Sequence, residues 1–180
     1  MDSENWNLRL ARAEDLGAIN DIYNHYVLHS TCRYQEEPAT AAERAAWFAA
    51  HGERHPVTVA LEKATGEVAG WAALSPFHPR SAYRFTAENS VYVRAGLHRR
   101  GIGRALLEDL LARAQRLGHR QIIAGSSADQ SACSARHRAL GFTEAGRLRA
   151  VGFKFGRWLD VAYLQKSCMP GDAAAAPGAR

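Results

Sequence analysis

A chain of 180 residues, 47% hydrophobic and 23% charged, has the size and make-up of one soluble globular domain, long enough for a sizeable core and short for two. No apolar run approaches the roughly 20 residues of a membrane span. The net charge of +5 and pI near 9.4 come almost wholly from arginine. Its planar fork suits phosphate, but apart from a local cluster at Arg94, Arg99, Arg100 and Arg104 the basic residues are spread along the chain and not interleaved with aromatics, which argues against nucleic acid and fits an anionic small ligand. Cys32, Cys133 and Cys168 stand far apart with no CxxC pair. No disulfide frame and no metal site is therefore expected, and a reducing, cytoplasmic setting is implied. MDSENWNL lacks a basic and an apolar region, so no secretory leader is expected.

In chain order, residues 8–12 (LRLAR) alternate and predict a short first strand. Residues 14–29 put Leu16, Ile19, Ile22, Tyr23, Tyr26 and Val27 on one face at helical spacing. A second helix lies in PATAAERAAWFAAH, with Thr40 as N-cap and Glu43 completing a capping box. Two apolar runs flank Ala64-Thr65-Gly66, a hairpin with strands near 57–62 and 67–75. A strand at 88–95 leads to a helix at 103–117, which turns Leu106, Leu107, Leu110, Leu111, Ala114 and Leu117 inward and stops at Gly118. RQIIAGS reads as a buried strand, and 130–140 as a short helix ended by Gly141. Residues 142–150 and 157–166 are the last two strands, joined by a Gly/Lys/Phe turn. The tail MPGDAAAAPGAR has nothing to pack and is expected to be disordered. The order β α α β β β α β α β β predicts one domain with a mixed α/β (α+β) sheet, antiparallel first and strand–helix–strand after.

The stretch SVYVRAGLHRRGIGRALLEDLLARA (90–114) joins a strand to a helix through an elbow rich in glycine and arginine. Such an elbow points free backbone N–H groups at one spot, where the helix dipole adds positive charge. Gly101 and Gly103 let the main chain approach a ligand, and Arg99, Arg100 and Arg104 add charge. It is a cradle for a pyrophosphate, or an ordinary tight turn on an arginine-rich surface. A P-loop is absent, since there is no GxxxxGK[ST]. Dinucleotide binding is disfavoured: Leu106 stands where a third glycine should be, and QIIAG ends without a carboxylate.

The strand followed by His98-Arg99-Arg100-Gly101-Ile102-Gly103 and an amphipathic helix resembles the acetyl-CoA signature [R/Q]xxGxG of the GNAT N-acetyltransferases, with His98 in the Arg/Gln place. SAYRFTAENSVYV, HRALGF and GFKFGRWLDVAYLQ together are similar to the phosphinothricin and methionine sulfoximine/sulfone acetyltransferase group, over roughly residues 8–166. The resemblance implies a GNAT-like, mostly antiparallel sheet of about seven strands flanked by about four helices, in a domain spanning 1–169 ahead of a tail at 170–180. It implies acetyl-CoA as donor, a small amino-acid-like acceptor and a homodimer. The competing readings are an acetyltransferase for a protein N-terminus, polyamine or aminoglycoside, and a non-catalytic acyl-CoA-binding module.

Amine acetylation needs a base for the ammonium, stabilisation of the carbonyl oxygen and release of the thiolate. Glu88 is the candidate base, at the residue where the group's motif places its carboxylate; burial among Tyr83, Phe85 and Val91 would raise its pKa. His137 stands where related enzymes carry a proton-donating Tyr, and is a second catalytic candidate or a packed helix histidine. By the resemblance, Val91, Tyr92 and Val93 bind the pantetheine arm as an added strand. Arg99, Arg100, Gly101, Ile102, Gly103 and Arg104 hold the pyrophosphate. Gln130 takes the place of an Asn that often touches the cofactor, and Cys133 that of a Ser. The acceptor pocket is expected in SPFHPRSAYRFTAE: Arg80 and Arg84 for an acid group, Phe77, Tyr83 and Phe85 as walls, with His78, Thr86 and Ala87 beside Glu88. Phe77 and His78 replace the family's Trp and Lys or Arg. His51, His55 and His119 are expected on the surface, and GFKFGRW (152–158) completes the pocket or is a structural hairpin.

Overall fold

The computed structural model describes residues 5–168; the tail expected at 170–180 lies outside them. The described residues form strands β1 (Trp6–Leu10), β2 (Val57–Glu62), β3 (Val68–Pro76), β4 (Thr86–Val93), β5 (Gln121–Ser127), β6 (Thr143–Lys154) and β7 (Arg157–Ser167). The helices are α1 (Leu16–His29), α2 (Ala41–Ala49), α3 (Ile102–Arg116) and α4 (Ser131–Ala139). One seven-stranded sheet runs in the order β1-β2-β3-β4-β5-β7-β6, parallel only between β4 and β5. This is the mostly antiparallel sheet with four helices that the sequence predicts.

Alternation along β3 divides the core. Trp71 and Ala73 join Ile19, Ile22, Tyr23 and Val27 of α1 on one face. Ala72 and Leu74 join Leu106, Leu107 and Leu110 of α3 on the other, as a period of two in the strand requires. The two helices therefore pack on opposite faces of the sheet, and each fully buried Leu or Ile contributes about 1.5–3 kcal/mol. Thr40 caps α2, its hydroxyl accepting from the Glu43 N–H at 3.2 Å while Glu43 accepts from the Thr40 N–H at 2.7 Å. Gly118, at φ 76°, ends α3.

Three boundaries and one histidine differ from expectation. β1 lies two residues earlier, because Asp15 pulls the following chain into a 3-10 turn: Arg9 grips its carboxylate at 2.7 and 2.9 Å, and the Arg12 N–H donates to it at 2.7 Å. β4 also lies two residues earlier, ending where Leu97 N–H bonds Arg94 O and starts the elbow. β6 runs on to Lys154, since Phe155 and Gly156, both at positive φ, close the hairpin in two residues, the geometry a tight hairpin prefers. His119 is fully buried: the turn at Gly118 tucks it under, and its Nε2–H donates to Arg54 O at 2.7 Å. His51 and His55 are half-buried. Among the described residues no helix is long and apolar enough to cross a membrane.

Candidate active site

β4 and β5 pair only through Thr86, Ala87 and Glu88, opposite Gln121, Ile122 and Ile123. Beyond Glu88, β4 stays with β3 up to Val93, while β5 stays with β7. The two strands therefore part, and β4 from Asn89 to Val93 has no strand partner on its β5 side. The wedge opens into a cleft of about 300 Å³, lined by β4 from Glu88 to Val93, by Tyr26, Cys32, Arg33 and His98, and by Ala124, Gly125, Gln130, Cys133, Arg136 and His137.

Glu88 stands at the branch point. Gly125 lies beside it: a Cβ there would meet Tyr163 Cε1 at 3.2 Å and reach ordinary contact with Glu88 Oε1 at 3.5 Å. Burial raises the Glu88 pKa, and the Arg33 guanidinium works against that rise. Of the three neighbours expected to bury it, Val91 lines the cleft and Tyr83 and Phe85 do not. Arg33 was missed by sequence reading, because it sits in an irregular stretch after α1 with no periodicity and no motif.

His137 is buried and carries two hydrogen bonds. Nδ1 lies 2.9 Å from Cys133 O, which can only accept, so Nδ1 holds the proton. Nε2 then presents its lone pair to the Asn89 amide at 3.0 Å. Burial pulls the His137 pKa down, with the Cys133 carbonyl opposing and Arg136 adding to the drop. The imidazole is thus neutral, and both nitrogens are engaged. Gln130 lines the cleft and donates to Thr31 Oγ1 at 2.8 Å, which donates to Asp129 at 2.9 Å. Cys133 is partly buried in the wall, its Sγ 3.7 Å from His137 Nδ1.

At the elbow, Gly101 caps α3 at φ 81° with no side-chain cap, and no acidic residue occupies the first turn. Helix-start N–H groups without a protein acceptor are donors in search of an anion. Gly103 lies under the Arg136 guanidinium, which a Cβ there would approach to 2.6 Å. Arg99 is itself left-handed, at φ 64°. Arg99 and Arg100 border a separate hollow of about 530 Å³ with Trp6 and Lys63, and Trp6 Nε1–H donates to Arg100 O at 3.3 Å. Arg104 pairs with Glu108 at 2.8 Å.

The expected acceptor loop stands apart from the cleft. None of Phe77, His78, Arg80, Tyr83, Arg84 and Phe85 lines it. Phe77, His78 and Tyr83 stack together near the end of β3, ring centroids 5.8 and 4.8 Å apart. Arg84 lies over the Phe85 ring at 4.6 Å. A more apolar hollow of about 390 Å³, lined by Phe48, His51, His55 and Leu117 among others, shares no residue with the cleft.

The cleft's other wall is held from a distance. Buried Lys154 of β6 donates to the carbonyls of Val27, Ser30 and Arg33 at 2.5, 3.0 and 2.7 Å. Tyr34 Oη–H donates to Asp160 O of β7 at 3.0 Å. The β6–β7 hairpin thereby fixes the segment that carries Arg33. Thus the GFKFGRW stretch braces the cleft through the Lys154 side chain, which holds the backbone of the segment carrying Arg33.

Residues 19–142 match the Acetyltransferase (GNAT) family. The chain is 40% identical over 166 residues to a phosphinothricin N-acetyltransferase of Alcaligenes faecalis, covering 92% of this chain and 84% of that one. It is 36% identical over 159 residues to an L-methionine sulfoximine/L-methionine sulfone acetyltransferase of Salmonella typhimurium, covering 88% and 92%. A crystal structure of a GNAT superfamily phosphinothricin acetyltransferase from Sinorhizobium meliloti, in complex with AcCoA, superposes with a TM-score of 0.91 at 42% identity. The match covers 97% of this chain and 94% of that one.

Proposed function

The chain belongs to the Acetyltransferase (GNAT) family, and from that premise we propose that it moves an acetyl group from acetyl-CoA to the amine of a small amino-acid-like acceptor, of the phosphinothricin or methionine sulfoximine/sulfone type. The observation that carries this reading is the parting of β4 from β5 immediately beyond Glu88. It leaves an unpaired strand edge beside a half-buried carboxylate, with uncapped helix amides at the far end of the same strand. An amide-rich pantetheine arm fits such an edge as an added strand along Val91, Tyr92 and Val93. The N–H groups at Gly101, Ile102 and Gly103 suit its diphosphate, with Arg99, Arg100 and Arg104 supplying charge around them and Gln130 on the facing wall.

In this reading Glu88 accepts one proton from the acceptor's ammonium. The freed amine forms the new N–C bond as the C–S bond breaks; the sulfur keeps the bonding pair and takes the second proton that the nitrogen sheds. A β4 amide in the cleft donates to the carbonyl oxygen as charge grows there. A positioned base contributes about 10²–10⁴-fold, and the raised pKa of Glu88 makes it a better base than a free carboxylate. His137 acts as a positioning residue, because its neutral ring holds the Asn89 amide and Cys133 O together.

Phe77, His78, Arg80, Tyr83, Arg84 and Phe85 lie in the segment that leads through Thr86 and the buried Ala87 to Glu88. We assign the exposed side chains of this loop to the approach by which the acceptor reaches Glu88. A homodimer through the β6–β7 hairpin belongs to the same reading. That hairpin exposes Leu148, Val151, Phe153, Phe155 and Trp158, a grouping of large apolar side chains of the kind that marks interaction surfaces.

A thiol-release assay with acetyl-CoA and a panel of amines tests the proposal. Turnover of methionine sulfone or phosphinothricin, and none of spermidine, is expected, since Arg33 and Arg136 would repel a polycation from the cleft. Thermal stabilisation by acetyl-CoA with no turnover of any amine would turn the reading into that of a binding module.

A further inference from the structure

The Arg33 guanidinium is an unsatisfied cation built into the wall of the cleft. It lies over the rings of Tyr23 and Tyr92, 5.1 and 5.5 Å from their centroids. Its Nε is buried without a hydrogen-bond partner, and among the described residues no carboxylate forms an ion pair with it. Its backbone is pinned by Lys154. Aromatic faces attract the cation but offer its N–H groups no acceptor. A partly desolvated guanidinium of this kind is complementary to a planar oxyanion, which it can bind through two parallel hydrogen bonds.

Glu88 faces the same cleft. The two groups feel each other's charge, yet no ion pair joins them in the described structure. A carboxylate and a guanidinium held apart across a cleft match a ligand bearing the opposite charges in the opposite order. An α-amino acid is such a ligand, with ammonium and carboxylate on one carbon.

We propose that Arg33 and Glu88 form a clamp for a zwitterion, Arg33 binding the acceptor's α-carboxylate while Glu88 takes the ammonium, so that the enzyme selects free α-amino acids over amines that lack an adjacent acid group. The proposal rests on the acetyltransferase reading and specifies its acceptor. Arg33 also borders a second cavity of about 230 Å³, walled by Trp47 and Trp71 and carrying Ser75, Ser90 and Arg44. A side chain leaving the clamped carbon has room there. Its serines, Gln35 and Arg44 offer donors to an end bearing oxygen, and the Glu43 carboxylate on the same wall favours a neutral one, as in a sulfone.

The test compares L-methionine sulfone with its carboxamide, which keeps the amine and side chain and loses the acid. In the wild type, kcat/KM is expected to favour the acid by at least about 10-fold, the lower end of what a charged hydrogen-bonding partner contributes. Arg33→Ala should erase most of that preference, chiefly by raising KM for the acid, and Arg33→Lys should restore part of it. A wild type that uses the carboxamide as well as the acid would overturn the clamp without any variant being made. So would an Arg33→Ala enzyme in which acid and carboxamide fall by the same factor, the mark of a structural role. A wild type that acetylates neither compound nor any other amine would instead overturn the acetyltransferase reading itself.

Discussion

Glu88 shows at the scale of one residue how a site can be expensive to fold and useful to chemistry. Its carboxylate is half-buried at the branch of two strands, and desolvation raises its pKa despite the pull of Arg33. The group binds its proton more tightly folded than unfolded, so the folded state loses stability as pH rises from the unfolded pKa through the folded one. Below both values the carboxyl is neutral in either state and contributes nothing. Glu88→Gln should therefore melt at or above the wild-type temperature at pH 8, with the difference gone near pH 4; thermal scans at the two pH values check this. The same variant should lose about 10²–10⁴-fold in kcat/KM for the acceptor, while acetyl-CoA binds within about 2-fold of wild type in calorimetry. An unchanged turnover would remove Glu88 from the mechanism. In the wild type, activity should fall as pH drops below the raised pKa, so the acid limb lies above the position expected for a free glutamate.

At the scale of the element, two joints carry the arrangement. Gly101 caps α3 in the left-handed region, and a Cβ there would touch nothing within 4 Å. Gly101→Val therefore acts through the backbone: a β-branched residue at φ 81° is strained by about 1–2 kcal/mol or more. The elbow should shift and the acetyl-CoA dissociation constant rise at least about 10-fold, read by calorimetry; an unchanged constant would defeat the assignment of the elbow. The second joint is Asp15, whose burial works to raise its pKa but whose hydrogen bonds from Arg9 and Arg12 win and lower it. Its stabilisation is full above the unfolded carboxylate pKa and is lost as pH falls through the lower folded one. Asp15→Asn should cost about 1.5–3 kcal/mol at pH 7, with the gap to wild type closing on acidification, as denaturant titrations at several pH values would show. Both joints bear on what sequence could reveal. The strand–elbow–helix unit was legible because glycine, cap and leucine periodicity all act locally. The hold of Arg9 on Asp15, which moved β1, spans two elements and leaves no periodic trace. Arg33 and Lys154 were illegible for the same reason: Lys154 reaches Val27 across 127 positions, and only the folded sheet brings them together. The loop at 77–85 shows another limit: its composition suits a pocket, but only the fold shows that Phe77, His78 and Tyr83 stack together near the end of β3 and do not line the cleft.

For the whole molecule, the sheet leaves one face unfinished. β6 is one of the two edge strands, and nearly all of its residues are exposed. An exposed edge with protruding apolar side chains invites pairing with another chain unless charge or cover prevents it. Here Phe153 and Trp158 stack at 5.2 Å with about half or more of each in solvent, at 52% and 66%. Aromatic anchors of this size dominate the energetics of protein interfaces. A second copy is the natural cover, since a two-fold axis lets one patch meet itself. The hairpin also holds Lys154, and through it the carbonyl of Arg33, so association would stiffen the wall of the cleft on which the proposed acceptor clamp depends. Replacing Trp158 by Glu should convert the proposed dimer to a monomer in light scattering. It should also raise KM for the acceptor more than for acetyl-CoA, because the hairpin braces the Arg33 segment and not the elbow. A monomeric wild type would sink the dimer, and a Trp158→Glu monomer with wild-type KM for the acceptor would sever the link between assembly and site.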